Sequence, residues 1–224
     1  MLLGLLAVAA SANAQDTSED QIDPQAQALV SSLHWRDGTV AVPKAKASFK
    51  LNEDFHYLEA ADARKVVEQL WGNPPDDTVL GLVAPKSHDL LEDGAWAVVV
   101  TYSDDGYVSD KEAASIDYND LLKEMQEGAE EENDARKEAG YGTVKLNGWA
   151  TAPHYDSANK KIYWAKDLTF DNDGHTLNYD IRVLGRSGYL SLEAVSNMED
   201  LPEVQTDMQK LLPMVEFDPS ALAS

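Results

Sequence analysis

A chain of 224 residues with 40 acidic and 18 basic side chains carries a formal charge of −22, with 43% hydrophobic residues and no cysteine. The apolar fraction excludes a disordered or collagen-like chain, and the missing thiols exclude disulfides and thiolate metal sites. So acidic a surface has no general grip on nucleic acid or on an anionic membrane surface, both of which need clustered Lys and Arg.

The chain opens on Leu2-Leu3-Gly4-Leu5-Leu6-Ala7-Val8-Ala9-Ala10, followed by Ser11-Ala12-Asn13-Ala14. An apolar run closing on an A-x-A site reads as a secretory signal peptide over residues 1–14, too short for a bilayer span of about 20 residues. No Lys or Arg precedes the run, and no Cys follows it, which excludes lipoprotein attachment. The expectation is an exported, periplasmic chain. Residues 15–33 read as an acidic, mobile leader with a short helix near Ala26–Leu33. Residues 34–217 read as a single soluble domain, and 218–224 as a tail.

Within that domain, Gly38–Val42 and Ala47–Leu51 predict two short strands around Pro43. Ala63, Val66, Val67 and Leu70 recur at i, i+3, i+4 and i+7, which predicts a helix over Ala60–Trp71, stopped by Gly72-Asn73-Pro74-Pro75. Val79–Val83 and Ala95–Tyr102 read as strands covered on both faces. The longest helix is expected from Tyr118 to Ala139, with Asp117 as N-cap and Leu121, Leu122, Met125 and Ala129 in its apolar stripe. Its second half is nearly all polar and is expected to project from the body.

From Lys145 onward the pattern is a β-meander: Lys145–His154, Lys161–Phe170, Thr176–Leu184 and Tyr189–Val195, joined by polar turns. In the third strand Leu177, Tyr179, Ile181 and Val183 alternate with Asn178, Asp180 and Arg182, so the two sets face opposite ways. A helix over Leu201–Leu212, with Asp200 and Glu203 spaced for a capping box, precedes a last strand at Met214–Phe217. Sequential hairpins with segregated helices define an α+β class with a mainly antiparallel sheet.

Three motifs, Leu70-Trp71-Gly72-Asn73-Pro74-Pro75, Leu146–Asp156 (LNGWATAPHYD) and Leu177–Arg186 (LNYDIRVLGR), resemble those of the membrane-anchored bacterial envelope family known as domain of unknown function 2167. The resemblance runs from about His34 to Phe217. It implies an exported domain followed by a C-terminal transmembrane anchor, and it carries no catalytic residue or ligand. This sequence stops at Ser224 without an apolar tail. The anchor is therefore expected beyond the end of this reading, with a free periplasmic member as the alternative. By fold analogy alone, a layered arrangement of the Mog1/PsbP type is a further possibility for the architecture, and with it an accessory-factor role.

The chemistry-bearing residues are sparse. His34, His56, His88, His154 and His175 show no metal-ligand spacing, so no metal site is expected. In Asp171-Asn172-Asp173-Gly174 an EF-hand register would place Thr169 at the first ligand position, so a hairpin turn is the better reading. Ser187 lies in the tight turn Gly185–Gly188, outside any G-x-S-x-G elbow. The candidate ligand-binding surface is His154, Tyr155, Asp156, Trp164, Asn178, Asp180 and Arg182, with Lys166 beside them, all on neighbouring strands. The candidate interaction surface is Glu130, Glu131 and Glu132, whose like charges would attract a basic partner. The expected function is a non-catalytic envelope module that binds another envelope protein or a small ligand, without cofactor. The alternative is a periplasmic hydrolase using the His154/Asp156/Asp180 region.

Overall fold

Strands rich in Val and Ile on both faces must be covered on both sides. The computed structural model, which describes residues 22–106, 109–171 and 173–222, meets that demand with three layers. The expected signal peptide and residues 15–21 of the leader lie outside the described residues.

Two strands, β1 (Thr39–Val42) and β2 (Ala47–Lys50), form a hairpin. The central sheet is built from β3 (Phe55–Glu59), β4 (Val79–Pro85), β5 (Ala97–Ser103), β6 (Val144–Asp156), β7 (Lys161–Phe170), β8 (Asp173–Leu184) and β9 (Tyr189–Asn197). Its order is β3-β4-β5-β9-β8-β7-β6, and every adjacent pair is antiparallel. A last strand, β10 (Val215–Phe217), joins β2 to complete a three-stranded second sheet. The helices are α1 (Pro24–Ser31), α2 (Ala60–Arg64, continued by Lys65–Leu70), α3 (Asp110–Ala114), α4 (Tyr118–Glu138) and α5 (Leu201–Leu211). The α+β class is thereby established.

The small sheet and α5 cover one face of the large sheet, packing Val40, Phe49, Val204 and Met208 against Val98, Ile181, Leu190 and Leu192. The other face is covered in three parts, the middle one Ala113 of α3 against Ile162, Trp164, Leu184 and Tyr189. At the β3–β5 end, Val66, Val67, Leu70 and Trp71 pack on Leu82, Ala97 and Val99, with α1 against the same cluster. At the β6 end, Leu121, Met125 and Ala129 of α4 pack on Val144, Leu146 and Leu168. Each fully buried aliphatic side chain of this kind contributes about 1.5–3 kcal/mol.

Several elements depart from the expected ones, each for a physical reason. The stripe of α2 ends in a wider turn, with Trp71 N donating to Val66 O, five residues back, at 2.9 Å. β3 runs straight into α2 without a turn residue, which hides it in the sequence. α3 is a single short turn held by a reciprocal capping box between Ser109 and Glu112. Asp200 does not cap α5: its carboxylate accepts from Ser196 Oγ at 3.1 Å instead.

The second half of α4 does not project. Asn133 brackets Val144, donating to its carbonyl at 2.9 Å and accepting from its amide at 2.8 Å. Gln126 donates to Leu146 O at 3.1 Å and Arg136 to Gly142 O at 2.7 Å. β6 is an edge strand, and these side chains occupy backbone groups that would otherwise invite another strand. The tail is docked too: Asp218 N donates to Lys46 O at 2.8 Å and Arg186 N to Ala221 O at 3.0 Å. Among the described residues no helix is long and apolar enough to cross a membrane.

Candidate functional site

The alternation of β8 places Asn178, Asp180 and Arg182 on the face away from α5, and the neighbouring strands add to them. Opposite pairs in the ladder are Trp164 with Asp180, Lys166 with Asn178, Asp180 with Glu193 and Arg182 with Ser191. The result is a strip of polar side chains among the apolar clusters of that face. Lys166 Nζ meets Glu193 Oε2 at 3.1 Å, Arg182 Nε meets Asp180 Oδ2 at 3.4 Å, and Ser191 Oγ donates to Asp180 Oδ1 at 2.8 Å. The Arg182 guanidinium lies between two rings, 4.6 Å from the centre of Trp164 and 4.8 Å from that of Tyr189.

These charges are sealed. The four ionic side chains expose between 1% and 4% of their surface. Burial, opposed by Lys166, pushes the Glu193 carboxyl up to about 7, and its Oε1 has no hydrogen-bond partner among the described residues. Two cationic and two carboxylic side chains thus form one buried network that ties β7, β8 and β9 together in a single register.

The seven residues expected on one ligand-binding surface are divided by the sheet. Tyr155 pairs with Ile162 and lies on the same face as Trp164, Asn178, Asp180 and Arg182, whereas His154 pairs with Tyr163 and Asp156 with Lys161 on the other face. The exposed His154 ring lies 6.3 Å from that of Tyr163. Asp156 is occupied in its turn, accepting from the amides of Ala158 and Asn159 and from Asn159 Nδ2 at 2.7 Å, bonds that hold its carboxyl below the usual range. A hydrolytic set of His154, Asp156 and Asp180 is therefore not assembled on one surface. The register shifts in β6 around Leu146–His154, invisible in a single strand's pattern, move its residues relative to β7.

Glu130, Glu131 and Glu132 are exposed, as an interaction surface requires. Glu131 belongs to a longer outward stripe with Asp120, Glu124, Glu127, Asp134 and Glu138, all exposed, and Glu130 and Glu132 lie to either side of it.

A further concave site was not legible in the sequence. A cleft of about 290 Å³ is lined by Val30, Trp35, His56, Ala84, Leu90 and the polar side chains of Lys86–Asp89 and Glu92. The Trp35 and His56 rings stack at 3.5 Å and 6°. Burial, aided by Lys86, holds His56 at about 4, so the ring is uncharged at neutral pH. Lys86 Nζ is paired with Asp37 at 2.7 Å, and His88 lies 3.7 Å from both Glu92 and Glu203. The remaining histidines pair singly, His34 with Asp62 at 3.0 Å and His175 with Asp167 at 2.7 Å. Among the described residues no group of three or more His, Asp and Glu is placed to hold a metal ion.

The fold and its surfaces define an antiparallel α+β domain whose buried charges are spent on its own framework. The chain belongs to the family described as Protein of unknown function (DUF2167), which matches residues 34–221. No curated protein matches the sequence. Among solved structures, cyanobacterial PsbP (CyanoP) from Synechocystis sp. PCC 6803 is similar with a TM-score of 0.43 and 12% identity, over 82% of this chain and 92% of that one. The Saccharomyces cerevisiae Ran-binding protein Mog1p is similar with a TM-score of 0.37 and 10% identity, over 86% of this chain and 100% of that one.

Proposed function

We propose that this chain is a non-catalytic interaction module of the bacterial cell envelope, exported by its leader, held at the inner membrane in its full-length form, and docking through α4 on a basic protein partner. The outward stripe of α4 carries the reading. Asp120, Glu124, Glu127, Glu131, Asp134 and Glu138 follow at steps of four and three, so they share one side of the helix. The stripe runs along a helix of 21 residues, roughly 30 Å at about 1.5 Å per residue. Leu121, Met125, Ala129 and Asn133 pin the opposite side to β6, and Arg136 pins it to Gly142 just ahead of that strand, so the carboxylates stand on a rigid support and little backbone freedom is lost on binding. Like charges concentrated in this way speed encounter with the opposite sign and set register.

The test is backbone chemical-shift mapping of the full chain titrated with a helical peptide carrying lysines at the same steps of four and three. The reading expects shifts confined to residues 118–138 that fade steeply with salt. Shifts spread over the whole acidic surface, with no focus on α4, would contradict it.

A further inference from the structure

The Trp35–His56 cleft lies at the β3–β4 end of the sheet, at the opposite edge from α4. We propose that this cleft binds a carbohydrate ring, with the stacked Trp35–His56 pair as its platform. Two observations select that class of ligand. The first is shape. Two rings stacked face to face at 3.5 Å and 6° hold each other rigid, each covering one face of the other, and both line the cleft with Val30, Ala84 and Leu90. The uncovered outer face of such a stacked pair is flat and complements the C–H face of a pyranose, whose weakly positive hydrogens meet the negative face of an aromatic ring. The volume of about 290 Å³ is at the lower end for small-molecule sites and suits one ring rather than a long chain.

The second observation is the mixture of polar groups at the rim. Lys86, Ser87 and His88 supply donors, and Asp89 and Glu92 supply acceptors, within one cleft. A strongly charged ligand of either sign would meet a like charge there. A hydroxyl both donates and accepts, so a polyol uses both sets at once. Asp37 holds Lys86 in place at 2.7 Å and offsets its charge. The uncharged state of His56 leaves the platform itself without a cation at neutral pH.

The experiment titrates the full, isotope-labelled chain with glucose and with N-acetylglucosamine, using tetramethylammonium chloride and sodium acetate as charged probes. The proposal expects saturable shifts at the Trp35 indole N–H and at the amides of 84–92 with at least one of the sugars, and none at α4. It expects Trp35→Ala to weaken that binding by about tenfold or more. Glu92→Gln, an exposed change remote from the core, should weaken it as well, and this variant decides the matter where Trp35→Ala fails to fold. No saturable shift with either sugar, saturation by a charged probe, or an affinity unchanged in Glu92→Gln would overturn the proposal. Because the ridge on α4 is read from different amides and a different probe, either idea can fail alone.

Discussion

Replacing Glu193 by Gln should stabilise the protein at neutral and alkaline pH, although it removes one partner of an ion pair. Glu193 is fully enclosed, faces Asp180 directly across the β8–β9 ladder, and has Lys166 at 3.1 Å as its nearest compensating charge. In the unfolded chain its carboxyl titrates at the ordinary value of 4.5, and in the folded protein burial moves it to about 7. Between these values the native state holds a proton that the unfolded state has released, so stability falls as pH rises through the window, and the full cost stands above about 7. At about 1.4 kcal/mol per pH unit the cost is on the order of 3 kcal/mol. Gln mimics the protonated acid at every pH and still offers an oxygen to Lys166. Wild type and Glu193→Gln should therefore be nearly equal in stability at the acidic end. The variant should gain on the wild type progressively toward the alkaline end. Urea unfolding of both proteins across that range measures the difference directly, and the contribution of acids remote from Glu193 cancels in it. A difference that stays flat within about 0.5 kcal/mol would refute the reasoning, as would a variant less stable throughout.

Two further perturbations follow from the packing. Asn133→Ala removes both bonds to Val144 and should cost about 1–3 kcal/mol, with faster hydrogen exchange confined to the second half of α4 and the start of β6. Uniform exchange along α4 would show that the helix is not pinned there. Gly81→Ala puts a methyl group where the Tyr57 ring lies, and Tyr57 is 1% exposed, so the ring cannot swing out. Thermal unfolding should show a loss of about 1–3 kcal/mol, largely recovered in Gly81→Ala/Tyr57→Leu.

How far the sequence reveals this molecule depends on whether a feature is local. The alternation of Leu177, Tyr179, Ile181 and Val183 with Asn178, Asp180 and Arg182 is local, and the structure sorts the two sets onto opposite faces of β8. The N-cap at Asp117 is local as well, and its carboxylate accepts from Asn119 N at 2.9 Å. Lys166 reads as a neighbour of the candidate ligand surface and Glu193 draws no reading at all, because only the pairing with β8 shows that their side of the sheet is covered. The polar second half of α4 reads as solvated because the sequence does not show that β6 is an edge strand with backbone groups to satisfy. Trp35, His56 and the Lys86–Glu92 loop come from three separate stretches, and their meeting is set by the β3–β4 pairing and by the bridge between Arg36 and Tyr57.

The claim that α4 is a docking ridge, rather than one part of a uniformly acidic surface, is tested most directly by two variants of equal net charge. Glu127→Gln/Glu131→Gln/Asp134→Asn neutralises the centre of the stripe, and Glu53→Gln/Asp105→Asn/Glu199→Gln removes three exposed acids elsewhere, each taking −22 to −19. With the lysine-patterned peptide as probe, fluorescence anisotropy should show about a tenfold loss of affinity for the first variant and less than about a twofold change for the second. Equal losses in the two variants would show that the peptide senses total charge alone, and the ridge would have no special role.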